Sequence, residues 1–191
     1  LSYTSTYHYE ELIGNEITPT VYSLEDAIKL SQRAVEMSKK VVIHIAVDTG
    51  MNRIGFRDCA ESADIIKKIS TLPNIEIEGV FTHFSVADEL KTGKEFTKRQ
   101  FNNFISGVNY LKERGVEFKI KHASNSAGVF NYPNFELDMV RVGISLYGVG
   151  GSELKEVMTL KSVISNVKNI KKGDSVSYGR DFIAKKDMKI A

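Results

Sequence analysis

The sequence has 191 residues, 42% of them apolar and 26% charged, an ordinary balance for a globular protein and enough chain for one medium domain or a large piece of a bigger one. Its 26 Lys and Arg against 24 Asp and Glu leave a net charge of only +2, spread without a basic block, which argues against a nucleic-acid partner. A single cysteine, Cys59, excludes an internal disulfide framework and fits a reducing cytoplasm, and no apolar run nears the ~20 residues of a membrane span.

In chain order, residues 20–22 are β-branched and aromatic and predict a short strand. Ser23 with Asp26 three residues on forms a capping-box pattern, and Leu24, Ala27, Ile28 and Val35 follow at helical spacing, predicting a helix to about Lys39. Residues 41–47 are a near-continuous apolar run, as in a strand covered on both faces. Asp58 and Glu61 open a second helix carrying Ala63, Ile66 and Ile69, with Cys59 read as a small residue at its start. Residues 75–84 predict a strand. Residues 96–112 predict the strongest helix, with Phe101, Phe104, Val108 and Leu111 on one face and Gly115 as its C-terminal cap. Residues 118–123 and 139–146 predict two more strands, separated by one or two helical turns.

Such alternation predicts a parallel sheet with helices outside and right-handed crossovers. After Gly148 the glycine-rich stretch 148–151 reads as a hinge. Met158, Leu160, Ile164 and Val167 then sit in a strand-like, charge-rich stretch that precedes a turn at residues 171–174. The division expected is therefore an α/β unit over 1–150 and the start of a β domain over 151–191. The chain begins at Leu1 and stops at Ala191 within a strand-like stretch, so further chain is expected on both sides.

In a parallel α/β barrel, functional residues gather at the carboxyl ends of the strands. Polar clusters do so here: 48–53 after the second predicted strand, Thr82 and His83 at the end of the third with Asp88 and Glu89 beyond, 122–126 at the end of the fourth, and Arg141 on the fifth. A lone strand-end histidine is more often a hydrogen-bonded core residue than a catalytic one, and an Asp-Thr-Gly turn is usually only a turn. Four clusters at the same end of successive strands are harder to dismiss. Ser126 offers a hydroxyl, and Gly143 permits close approach to its own N–H and that of Ile144, which together suggest an anion site.

The run HIAVDTGMNRIG at 44–55, EGVFTHF at 78–84, HASNS at 122–126, RVGISLYG at 141–148 and VSYG at 176–179 resemble, in order, the motifs of the alanine racemase family. The resemblance implies a pyridoxal 5'-phosphate-binding (β/α)8 barrel, about five of whose eight strands are covered, followed by the start of a C-terminal β domain. It implies that Arg53 bonds the cofactor's phenolic oxygen and helps hold the substrate carboxylate, and that Ser126, Gly143 and Ile144 bind the phosphate. Arg141 would face the pyridine nitrogen. A guanidinium can only donate, so that nitrogen stays unprotonated and the ring is a weaker electron sink. His83 would link Arg141 to a tyrosine acid/base and stay neutral, Asn125 would support the ring and phosphate region, and Asp88 would line the substrate channel.

The resemblance also implies a head-to-tail homodimer, a cytoplasmic location, a role in supplying D-alanine for peptidoglycan, and no metal. The two proton-transferring residues of the family, a cofactor-bearing lysine and a tyrosine from the partner subunit, lie in motifs (AxxKANAYGHG and GYADG) that do not occur in this chain. The chain alone is therefore expected to be inactive. One further departure is Ala46, where many members have a lysine, often carbamylated, that steadies the arginine; a water, a small anion or another side chain is expected instead. The competing readings are a racemase for serine or a broader amino-acid set, a non-catalytic cofactor carrier on the same barrel, and a related decarboxylase of basic amino acids. Carriers of that kind lack a β domain such as residues 157–179 suggest, and the decarboxylases present a carboxylate where Arg141 stands.

Overall fold

The computed structural model describes residues 3–57, 59–151 and 153–191, with only the backbone at 59 and 60. The proposed cap at Asp58 and the side chain of Cys59 lie outside the described residues. Chain contacts divide the molecule into Leu1–Glu156 and Val157–Ala191.

The first unit opens with α1 (Tyr9–Gly14), a helix the sequence reading passed over although Tyr9, Leu12 and Ile13 stand at helical spacing and are buried. Strand β1 (Thr20–Val21) leads to α2 (Leu24–Glu36), where the Ser23 hydroxyl oxygen accepts the Asp26 N–H at 3.1 Å. The pair departs from a full capping box, because Ser23 donates its own hydroxyl proton to the Asp26 carboxylate. The helix ends three residues before Lys39, since Ser38 takes a left-handed φ of 53°.

Strands β2 (Val41–Ala46), β3 (Ile75–Phe81) and β4 (Ile120–His122) complete a four-stranded parallel sheet in the order β1-β2-β3-β4. Helices α2, α3 (Cys59–Ser70) and α4 (Lys94–Glu113) supply the three crossovers. Ile43, Ile45, Ala27, Leu30, Ile66, Ile69, Phe104 and Leu111 are buried in one core cluster. Gly115, at φ 79°, caps α4, with Val116 N–H reaching back to the Leu111 carbonyl. A short α5 (Ser126–Asn131) follows β4, with Asn125 as its cap.

Two predicted strands do not form. Residues 139–146 contribute only a bridge between His122 and Met139, then turn into a 3-10 helix over Ile144–Tyr147. The segment meets β4 only at that bridge and has no strand on its other side among the described residues, so most of its ladder bonds have no partner. Residues 158–167 are likewise irregular. Leu160 and Val163 are exposed by 98% and 88%, which shows that apolar alternation without a partner strand does not make a strand.

The second unit holds two antiparallel ladders: β5 (Lys168–Ile170) with β8 (Met188–Ile190), and β6 (Ser175–Val176) with β7 (Phe182–Ile183). Its turn at residues 171–174 is closed by the Lys171 N–H on the Asp174 carboxylate at 2.8 Å. Ala184 is its only buried apolar residue among the described ones. No helix among the described residues is long and apolar enough to cross a membrane.

Candidate active site

Loop 48–56 is built around its own backbone. Asp48 N–H donates to the Phe56 carbonyl and Phe56 N–H to the Ala46 carbonyl, both at 2.9 Å. The Asp48 carboxylate accepts the N–H groups of Gly50 and Asn52 at 2.9 and 3.0 Å. Gly55, at φ 130°, lies so close to this ring that a Cβ there would fall 2.5 Å from the Asp48 nitrogen. The loop therefore cannot collapse, and Arg53 stands exposed on it.

Arg141 is the hub of the site. Its Nη1 donates to His122 Nδ1 at 2.5 Å, and its Nη2 donates to the carbonyls of Thr82 and Ala123 at 2.7 and 3.2 Å. His83 Nδ1 is a further acceptor 3.3 Å from Nη2. The guanidinium lies 5.0 Å over the Phe81 ring, which stacks on His122. One nitrogen is left without an acceptor: Arg141 Nε is buried and has no partner among the described residues. Desolvation, then the Arg53 charge, lowers the Arg141 pKa to about 10, so the group stays charged near neutrality.

Burial and the adjacent Arg141 and Arg53 charges bring His83 down to about 4, and burial with Arg141 and His44 brings His122 down to about 3. Both imidazoles are neutral near pH 7. Because Arg141 can only donate, both accept at Nδ1 and carry their proton on Nε2. This settles one contact: the Asn125 amide nitrogen sits 3.4 Å from His83 Nε2, but it donates to the Phe84 carbonyl at 3.0 Å while its oxygen caps Gly128, so Asn125 fixes the loop and leaves His83 Nε2–H without an acceptor among the described residues.

Ser126 and Gly143 do meet, in a different way from the one expected. The Gly143 N–H is not offered outward; it donates to Ser126 Oγ at 2.9 Å, and the Ser145 N–H does so at 3.3 Å. The serine oxygen is thereby filled by two donors and its hydroxyl proton points elsewhere. The Ile144 N–H has no acceptor among the described residues. A Cβ on Gly143 would meet nothing nearer than Ser126 Oγ at 4.0 Å. Arg53 acts electrically on both His83 and Arg141, whereas Asp88 is exposed and makes no hydrogen bond or ion pair among the described residues.

Three supporting residues escaped the sequence reading. Gln100, fully buried on α4, donates to the His83 carbonyl at 3.1 Å and to Thr49 Oγ1 at 3.4 Å, while its oxygen accepts from Ser85, so it ties two strand-end loops together. His44 and Glu78 form a polar line with His122 on the sheet face opposite the helices. The signal was present for Gln100 and His44, polar residues on an otherwise apolar helix stripe and strand, whereas Glu78 alternates with isoleucine in β3 as Glu76 does.

Residues 1–150 match the family model described as alanine racemase, N-terminal domain, and residues 157–191 match the alanine racemase C-terminal domain. The chain belongs to the alanine racemase family. An alanine racemase of Clostridium tetani is 45% identical across 100% of this chain, and one of Methanococcus maripaludis is 44% identical across 95% of it. The solved alanine racemase of Clostridium difficile 630 superposes with a TM-score of 0.82 at 40% identity, over 99% of this chain and 51% of that one. The chain spans about half (51% and 50%) of the length of those curated relatives. The fold is therefore part of the alanine racemase (β/α)8 barrel with the start of its C-terminal β domain, and the four-stranded sheet is a segment of that barrel.

Proposed function

We propose that this chain is the part of a pyridoxal 5'-phosphate-dependent alanine racemase that holds the cofactor's ring nitrogen, its phosphate and the substrate carboxylate. The observation that carries this is the orphaned Arg141 Nε. A buried N–H without an acceptor costs about 1–3 kcal/mol, and Nε is the one nitrogen of that guanidinium with no partner among the described residues. A neutral aromatic nitrogen, with a lone pair and no proton, satisfies it. A related decarboxylase of basic amino acids would instead present a carboxylate, which only accepts and so calls for a protonated ring nitrogen.

Bound there, the cofactor supplies an electron-withdrawing ring that acidifies the Cα–H of an amino acid joined to it. The residues of this chain do the rest of the holding. Arg141 keeps the ring nitrogen unprotonated. The Ser126 hydroxyl and the Ile144 N–H remain for phosphate oxygens, while Gly143 leaves the space beside them open and spends its own N–H on Ser126. Arg53 attracts the substrate carboxylate. His83, neutral and with its Nε2–H lacking an acceptor among the described residues, orients an acid/base phenol that a partner subunit brings to it. Asn125 holds the His83 loop and Asp88 lines the channel.

The proton-transferring lysine and tyrosine would come from outside these 191 residues, in a head-to-tail homodimer, so the chain alone would be inactive. The division at 150/151, a cytoplasmic site of action and a role in supplying D-alanine for peptidoglycan belong to the same reading. No group of three or more metal-binding side chains occurs among the described residues. The test is D-alanine formation from L-alanine by the full-length gene product with pyridoxal 5'-phosphate added, followed by chiral chromatography. Equilibration of the two enantiomers supports the proposal. No conversion of alanine, or faster conversion of serine, overturns the assignment of alanine as substrate.

A further inference from the structure

We propose that Glu78 is a positioning residue, which acts through His44 and His122 to hold the guanidinium of Arg141 in place. This rests on the reading that Arg141 Nε receives the cofactor's ring nitrogen, and it adds a support behind the site. Four groups are in line: Arg141 Nη1 to His122 Nδ1 at 2.5 Å, His122 Nε2 to His44 Nδ1 at 2.8 Å, and His44 Nε2 to Glu78 Oε2 at 3.4 Å.

The direction of every bond in the line follows from its two ends. Arginine has no acceptor, so His122 accepts at Nδ1 and, being neutral, carries its proton on Nε2. That proton points at His44 Nδ1, which must accept it. His44 in turn carries its proton on Nε2, facing a carboxylate that only accepts when ionised. Both ends demand the same tautomers, and no bond in the chain is frustrated. The line is therefore a set of aligned dipoles. It is no proton conduit, because Arg141 cannot surrender a proton at neutral pH.

The backbone is shaped for this line. The β2–β3 register shifts between Ile43 and His44, which pairs His44 with Gly79. The His44 ring lies across that glycine, where a Cβ would be 2.6 Å from its Cε1. Phe81, two residues on, stacks on His122 at 4.9 Å between centroids and underlies the Arg141 guanidinium. Among the described residues Arg141 makes no ion pair with a carboxylate. Glu78, whose side chain is 32% exposed, is the carboxylate at the far end of its hydrogen-bonded chain.

The test uses the full-length protein before cofactor is added, labelled with 15N at histidine and arginine. The expected spectrum shows His44 and His122 each protonated at Nε2 and bare at Nδ1. Glu78→Ala should shift both imidazole patterns and the Arg141 Nε resonance, while Glu78→Gln, which keeps an acceptor oxygen, should return them toward wild type. In the cofactor-loaded enzyme, Glu78→Ala should lower kcat about two- to tenfold, the loss of one hydrogen bond's net worth, with KM within about twofold and with Glu78→Gln intermediate. A proton on Nδ1 of either histidine overturns the relay. So does a Glu78→Ala protein whose Arg141 Nε resonance and kcat match wild type. A wild-type protein that racemises nothing overturns the functional reading by itself, because the spectra are recorded without cofactor and still decide the relay.

Discussion

Two corners of the candidate site are built in opposite ways. At Asp48–Phe56 and along the His44–His122 line behind Arg141, nearly every polar group is answered by the chain itself, the Arg141 Nε that faces the ligand side excepted, and glycines sit where another backbone or ring fills the space a Cβ would take. At Ser126, Gly143 and Ile144 the reverse holds: a hydroxyl proton and an N–H look outward, and the glycine faces open space. A self-satisfied corner carries stability, and an unsatisfied one awaits a ligand. Substitutions in the first should therefore cost folding energy and substitutions in the second should cost binding.

The largest effect should come from acid. His122, with His83, has a folded pKa of about 3 to 4 against an ordinary 6.5. Between those values the unfolded chain binds more protons than the folded one, so stability rises with pH across the window. The contribution is fully present above pH 6.5 and is lost as pH falls toward 3. By pH 4 the loss should be on the order of 3 kcal/mol from each of the two histidines. Urea unfolding of the cofactor-free full-length protein at pH 7.5 and pH 4 measures it. His122→Gln, which keeps an acceptor for Arg141 but does not titrate, should remove about half of this loss; an unchanged slope means that other groups carry the acid sensitivity.

Next comes Gly55→Ala, which adds a Cβ 2.5 Å from backbone at a φ of 130°. Neither the loop ring nor the left-handed conformation can yield cheaply, so unfolding should become easier by about 3 kcal/mol. A shift in the urea midpoint of the full-length protein measures the loss. A change below about 0.5 kcal/mol would mean that the 48–56 loop is not the rigid support described.

The same contrast explains what could be read from the sequence. The alternation of strands and helices, the apolar faces of α3 and α4, and the Gly115 cap were legible because they depend on periodicity and local backbone chemistry. The strands at 139–146 and 158–167 were not, because a strand is a property of a pair and the sequence shows only one member. Arg53, His83, Ser126 and Arg141 stood out as polar residues at strand ends. The use of the Gly143 N–H by Ser126, and the roles of His44, Glu78 and Gln100, depend on distances between elements far apart in sequence. No spacing rule encodes those.

The smallest effect tests the open corner. Gly143 adopts φ −117° and ψ −91°, and an added Cβ would find only Ser126 Oγ at 4.0 Å. Gly143→Ala should therefore leave the urea midpoint of the cofactor-free protein within about 0.5 kcal/mol of wild type. The new methyl group would, however, stand beside the Ser126 hydroxyl, in the space a phosphate oxygen would use. Affinity for pyridoxal 5'-phosphate should fall about tenfold, or about 1.4 kcal/mol, read by titration of the cofactor's absorbance. Pyridoxal without its phosphate should bind both proteins alike, since the methyl group opposes only the phosphate. A variant that unfolds early but binds the cofactor as tightly as wild type would reverse the contrast, and would make Gly143 a packing residue of the 3-10 turn instead of an open side of the anion site.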